Sequence, residues 1–328
     1  MIRATAPGKV VLWGEYAVLF GAPALVMAVD RYAVCDLGAD QGEVWRFASL
    51  GHDAPDEDAD RALLLAPDHP ASESGRAIAW AALQALDPAA LPWGGHLRLD
   101  TRTFQDESGR GKLGLGSSAA LCTAAYAAFA CLLEQPATLG GALEAHRQLQ
   151  GSGGSGIDVA AAWRGGTLKF SRPRADEDGE AAPWPLPSEV RVVFVFTGVP
   201  ARTADHLERL RRWRAQGEGT ELDELTAAAE AAFQTDDLLS ALGHYAGALW
   251  SLDQAAGLGI WSDVHCRLRQ LALDAGVVYK PCGAGGGDIG AAFTTDAAAA
   301  GRFTRLAADN GFLPLALETA PHGIEVTG

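Results

Sequence analysis

The sequence predicts an α+β protein organised as two domains. Three observations carry this: strand and helix patterns are mixed along the chain, an acidic, proline-rich stretch interrupts it near the middle, and 328 residues exceed the size at which one core usually stops growing. Residues 2–38 alternate apolar and polar positions with β-branched enrichment, as consecutive strands do. Residues 52–72, with Asp53, Asp56, Glu57, Asp58, Asp60 and several prolines, read as a surface loop. Helical patterns cover 74–87, 117–133 and 138–150, with a strand near 95–101. A short helix over 155–163 leads into a strand at 166–170. The stretch 171–188 (Pro173, Asp176, Glu177, Asp178, Pro183, Pro185, Pro187) reads as an inter-domain connection dividing 1–172 from 188–328. Beyond it come a buried strand at 190–197, helices through 201–275, strands at 277–280 and 291–294, a helix at 296–310 and a strand near 324–327. No internal repeat interrupts this order.

Composition bounds the function. Apolar residues make up 48% of the chain, enough for a sizeable core, and no apolar run is long enough to span a membrane. The N-terminus runs straight into a motif without a signal peptide, and five cysteines (Cys35, Cys122, Cys131, Cys266, Cys282) are odd in number and widely spaced. Together these predict reduced thiols and a cytoplasmic enzyme. With 26 Lys and Arg against 41 Asp and Glu, the net charge of −15 argues against a nucleic-acid partner. An acidic protein that binds anions must gather its cations locally, so Lys9, Lys112 and Lys280, each beside glycine-rich chain, gain weight.

The most informative stretch is Gly114-Leu115-Gly116-Ser117-Ser118-Ala119-Ala120, a glycine-rich turn opening an alanine-rich helix. Glycine lets backbone approach phosphate oxygens, and the free N–H groups and macrodipole of the helix favour an anion there. Lys112 supplies a mobile positive charge nearby, and a serine hydroxyl is a ligand for Mg²⁺. An ordinary capped helix accounts for the same residues, since serine is a favoured cap and alanine the best helix former. A Walker A loop is excluded because Val10 follows Gly8-Lys9 and Leu113 follows Gly111-Lys112. The protein-kinase motif set is absent, and the dinucleotide pattern is matched only in part and too far into the chain.

Two more glycine-rich segments stand at 6–18, with Gly8-Lys9 and Gly14-Glu15-Tyr16-Ala17-Val18, and at 280–290, with Lys280-Pro281-Cys282-Gly283-Ala284-Gly285-Gly286-Gly287-Asp288. With 112–120, and with Gly154-Ser155-Gly156-Ile157-Asp158-Val159-Ala160, they resemble in order and separation the signature motifs of the GHMP small-molecule kinases. The resemblance spans nearly the whole chain. It implies a ribosomal-protein-S5-like N-terminal domain, which binds ATP, and a ferredoxin-like C-terminal domain. It further implies that Lys112, Gly114, Leu115, Gly116, Ser117, Ser118 and Ala119 hold ATP, and that Ser118 and Glu15 organise Mg²⁺. Lys9 and Asp158 are the implied catalytic pair, Lys9 lowering the pKa of Asp158.

The acceptor side is implied to comprise Glu15, Tyr16, His146, Arg147, Ser155, Lys280, Gly283, Ala284, Gly285, Gly286 and Asp288. The 283–287 loop is expected to close over the substrate, while His146, Arg147, Arg164 and Lys280 are the positive groups for a phosphate on the acceptor. Bland readings stand beside these: Asp158 as a first-turn acid, Arg147 and Arg164 as solvated or dipole-complementing residues, His146 as a core histidine. Within the family, Tyr16, Lys280 and Asp288 resemble the phosphomevalonate kinase branch, which implies conversion of 5-phosphomevalonate to 5-diphosphomevalonate in the mevalonate pathway of isoprenoid biosynthesis. Mevalonate kinase or another small-alcohol kinase is the alternative. Outside kinases, a decarboxylase-type or non-catalytic nucleotide-binding relative is the alternative. The partner expected is a phosphorylated small molecule, with no nucleic acid and no membrane, and the protein a monomer or homodimer.

Overall fold

The computed structural model describes residues 1–51, 56–67, 74–106, 111–150, 154–172, 179–201, 203–217 and 219–328. The chain opens with β1 (Ile2–Trp13) and the long β2 (Ala24–Asp40), joined through a 3-10 turn at Ala17–Phe20. β3 (Val44–Leu50), β4 (Glu57–Asp60), α1 (Arg61–Leu64), α2 (Gly75–Gln84) and β5 (Gly94–Asp100) follow. Next come α3 (Ser117–Leu132), α4 (Leu139–Gln150), α5 (Ile157–Arg164), β6 (Thr167–Ser171) and β7 (Glu180–Pro183). The remainder is β8 (Arg191–Phe196), α6 (Thr203–Arg214), α7 (Thr220–Ala231), α8 (Leu238–Ala256) and α9 (Asp263–Ala275), then β9 (Val278–Pro281), β10 (Ile289–Thr294), α10 (Ala297–Asp309), β11 (Leu313–Leu315) and β12 (Glu325–Thr327).

The strands form two sheets. The first runs β12-β1-β2-β5-β3-β4, with β6 pairing the early part of β2 and β7 pairing β6; the second is the antiparallel β11-β8-β10-β9. The mixed α+β class expected from the sequence is what the structure has. Two segments expected as loop or connection hold regular structure. Residues 57–64, expected inside a loop, form β4 and α1, because β4 pairs with β3 and Asp60 caps α1 by accepting from the Leu63 N–H at 2.7 Å. Residues 180–183, expected in a connection, form β7 on the edge of β6. β12 returns to the first sheet and covers the free edge of β1, with Arg3 opposite Thr327. The parts of those loops at 52–55, 68–73 and 173–178 lie outside the described residues.

Alternation along β1 and β2 splits their side chains between two buried layers. Val10 and Leu12 of β1, with Leu25, Met27 and Val29 of β2, enter the main core with α3 and α4. Val11, Ala24, Val26 and Ala28 point the other way, against Ile157, Ala160 and Ala161 of α5. Lys9 pairs with Ala28 and shares the face of Val11, so the ladder register delivers it to the α5 side. The two halves of the chain also meet in an aromatic cluster, Trp13 with Trp184 and Phe233 at centroid distances of 5.5 and 5.0 Å. Among the described residues no helix is long and apolar enough to cross a membrane, and all five cysteines are free thiols.

Candidate active site

The 114–116 turn lies on β1. The Lys9 N–H donates to the Leu115 carbonyl at 2.8 Å, and a Cβ at Gly8 would stand 2.7 Å from that oxygen and 2.6 Å from the Phe104 ring. Only a residue without a side chain permits this approach. Gly116, at φ 76°, caps α3 without any side-chain hydrogen bond, leaving the first N–H groups of a 16-residue helix open. The aliphatic stem of Lys9 passes over Gly116, where a Cβ would be 3.1 Å from Cε. Ser117 and Ser118 are half-buried in the first turn of α3, and Lys112 is exposed just before it. These residues make a backbone-lined cradle with cations at its rim, the arrangement an oligophosphate requires.

Asp158 opens α5 beside Lys9. Burial pushes its carboxyl up, but the neighbouring His146 and Lys9, with the N–H groups of Asp158 and Val159, outweigh this and hold it below the usual carboxylate range. It stands ionised at neutral pH. His146 is 6% exposed, and its Nε2 has no hydrogen-bond partner among the described residues. Ser155 half-caps the same helix, its hydroxyl 3.4 Å from the Ile157 N–H.

Glu15 and Lys280 take places other than those expected. The Lys280 ammonium is fully buried against the Glu15 carboxylate, which also accepts from the Tyr245 hydroxyl at 2.9 Å and the Gly283 N–H at 3.3 Å. The Glu15 carboxylate and the Lys280 ammonium face each other rather than open space. Both residues are held in one buried ion pair, in which the two charges stabilise one another. Tyr16 is likewise buried, and its hydroxyl donates to the Ala284 carbonyl at 2.5 Å.

The 283–288 loop, expected to close over a substrate, is fixed from every side. His206 of α6 donates through Nδ1 to the Ala284 carbonyl at 2.9 Å. The Gly286 N–H donates to the Ile260 carbonyl at 2.8 Å, and Asp253 holds that segment by accepting from the N–H groups of Gly259, Ile260 and Trp261. His265 donates through Nε2 to the Gly287 carbonyl at 3.0 Å and accepts the Tyr279 hydroxyl at 2.8 Å, which requires the neutral ring. Asp288, at φ 52°, is held by the Thr197 and Ala201 N–H groups and by its own N–H to Val199. Its side chain fills the space over Gly114 that a Cβ would need. Burial raises the Asp288 carboxyl and Lys9 draws it back down, so Lys9 acts electrostatically on both Asp158 and Asp288. The hydrogen bonds of the loop tie it to α6, to the 259–261 segment and to the chain after β8.

A cavity of about 660 Å³ opens between the 3-10 turn after Tyr16, the chain before α5, and α6. Four arginines reach it: Arg147, Arg172, Arg211 and Arg214. Arg147 is the one anticipated; it also pairs with Glu144 at 3.3 Å. Arg164 is exposed at the far end of α5 and does not line the cavity. Sequence reasoning missed Arg172, Arg211 and Arg214, together with His206, Tyr245, Asp253 and His265. The arginine spacing on α6 was the one usable signal.

Comparison with known proteins agrees with this geometry. The GHMP kinases N terminal domain family matches residues 78–166. A phosphomevalonate kinase of Streptomyces sp. (strain CL190) is 32% identical, with 97% of each chain covered. Among solved structures, a Lin0012 protein from Listeria innocua superposes at TM-score 0.83 (21% identity, 99% of each chain). The Streptococcus pneumoniae phosphomevalonate kinase in complex with phosphomevalonate and AMPPNP superposes at 0.74 (18% identity, covering 97% of this chain and 100% of that one). Full-length identity at this level, joined to the uncapped N-terminus of α3 with Lys9 and Asp158 beside it, places the chain in the GHMP kinase family.

Proposed function

We propose that this protein is an ATP- and Mg²⁺-dependent cytoplasmic kinase that converts 5-phosphomevalonate to 5-diphosphomevalonate. The observation that carries this reading is the meeting of Lys9 and Asp158 at the uncapped N-terminus of α3. The open N–H groups of that helix and Lys112 receive the phosphates of ATP, and Ser118 offers its hydroxyl to Mg²⁺, which neutralises charge on the phosphates when bound. An acceptor phosphate oxygen attacks the γ-phosphorus, the bond to the bridging oxygen breaks, and ADP leaves. Lys9 stabilises charge on the transferring group, and Asp158 fixes the position of Lys9.

An alcohol acceptor benefits from a base as it attacks. A phosphomonoester, with its second pKa near 6, arrives largely ionised and needs cations instead. The Streptomyces relative, a phosphomevalonate kinase, supports the same acceptor. The test is an ADP-release assay with mevalonate and 5-phosphomevalonate in separate reactions. Turnover of 5-phosphomevalonate alone is expected; turnover of mevalonate alone would assign the protein to mevalonate kinase, and silence with both would refute the kinase acceptor.

A further inference from the structure

Arg211 and Arg214 lie three residues apart on α6 and so share a helix face, and both line the cavity. The Arg214 guanidinium sits 4.3 Å from the centroid of the Phe20 ring, which fixes it against the opposite wall. α6 itself is held to the glycine-rich loop by His206. At the other end the cavity reaches Gly154, whose carbonyl accepts from Arg172 at 2.6 Å, and Arg147, the neighbour of His146. That end adjoins the N-terminus of α5, where Asp158 stands. Leu19 and Leu210 supply apolar surface between the two ends, and among the described residues none that lines the cavity is acidic.

In a chain of net charge −15, such a pocket is built for a small molecule that is anionic at more than one point, with a short apolar stem. Lys9 and Asp158 are not among the described residues that line the cavity, so a phosphate reacting beside them leaves the Arg211 and Arg214 end to another group. We propose that Arg211 and Arg214 bind the acceptor's second acidic group, the carboxylate that takes no part in the transfer, and thereby set specificity for acceptors carrying an anion at each end. Arginine suits this because its planar fork meets a carboxylate with two parallel hydrogen bonds. This assignment rests on the acceptor proposed above.

The experiment is calorimetric binding of 5-phosphomevalonate in the presence of AMPPNP and Mg²⁺, to the wild-type protein and to the Arg211→Gln/Arg214→Gln double variant. An analogue whose carboxylate is a primary amide is titrated against both. The expected result is a Kd for 5-phosphomevalonate raised about tenfold or more in the double variant, with AMPPNP affinity and Tm unchanged. The amide should bind wild type with a similar loss, and the double variant no worse. Equal Kd values for 5-phosphomevalonate, or an amide penalty that adds in full to that of the variant, would overturn the assignment. If wild type turns over 5-phosphomevalonate and the variant binds it unchanged, the assignment alone fails. If wild type neither binds nor turns it over, the proposed acceptor fails and the assignment with it.

Discussion

Lys280 and Glu15, separated by 265 residues of chain, form a buried ion pair that joins the first glycine motif to the last. Tyr245 and the Gly283 N–H complete the carboxylate's partners, so the pair is a structural joint. Removing one charge leaves the other buried without compensation. Lys280→Met is expected to destabilise the protein by about 3–5 kcal/mol. A Glu15→Leu/Lys280→Met double variant should lose less than the single one, and urea unfolding at neutral pH reads the difference.

Lys9 and Asp158 are assigned to the transition state. Lys9→Met and Asp158→Asn should each lower kcat on the order of 10²-fold or more while leaving the KM for ATP nearly unchanged. Because the Asp158 carboxyl is held below its ordinary range, it remains ionised through mild acid. The acid limb of kcat/KM attributable to it should lie below the usual carboxylate pKa of about 4. A steady-state series in both pH and ATP concentration tests both statements, and a kcat close to wild type in both variants would remove them from the reaction.

His265 provides a pH-dependent prediction for stability. Burial pushes the ring from 6.5 down to about 4, with the bond to Gly287 opposing and the Lys280 charge assisting. The folded protein keeps the ring neutral while the unfolded chain takes up a proton below about 6.5. Its contribution is therefore complete above about pH 6.5 and is lost progressively as pH falls towards 4, on the order of 3 kcal/mol in all. Unfolding measured at pH 7 and pH 4.5 should show this loss in wild type and a smaller one in His265→Gln.

Gly8 holds the phosphate turn against β1. In Gly8→Ala the new methyl must displace the Leu115 carbonyl or the Phe104 ring, moving the 114–116 turn away from Lys9. The KM for ATP should rise by about tenfold or more, consistent with misplacement of positioning groups. The effect on acceptor binding without nucleotide should be small.

Much of this architecture is legible from local patterns, because the relevant forces are local. β1, β2 and the helices α2 to α4 follow from alternation and alanine-rich stretches, and the open end of α3 follows from Gly116 before two serines. Residues 57–64 were illegible because their acidic composition imitates a loop, while pairing with β3 turns them into a strand. β12 was recognised as a strand, but its place beside β1 depends on a contact across the whole chain. The same limit applies to the site. Glu15 and Lys280 were each read beside glycines as ligand-facing groups, since nothing in either segment signals that they neutralise one another. Arg211 and Arg214 lie in no motif and acquire meaning only when α6 is set across from Phe20 and Gly154.

The most direct measurement is a competition followed by ³¹P NMR, with purified protein, ATP, Mg²⁺ and equimolar mevalonate and 5-phosphomevalonate in one tube. The expected result is loss of the 5-phosphomevalonate monoester resonance and growth of a coupled pair of diphosphate resonances matched by ADP, with mevalonate untouched. Growth of the existing 5-phosphomevalonate monoester resonance as mevalonate is consumed, with no diphosphate product beyond ADP, would contradict the assignment of a phosphorylated acceptor to Lys9 and Asp158.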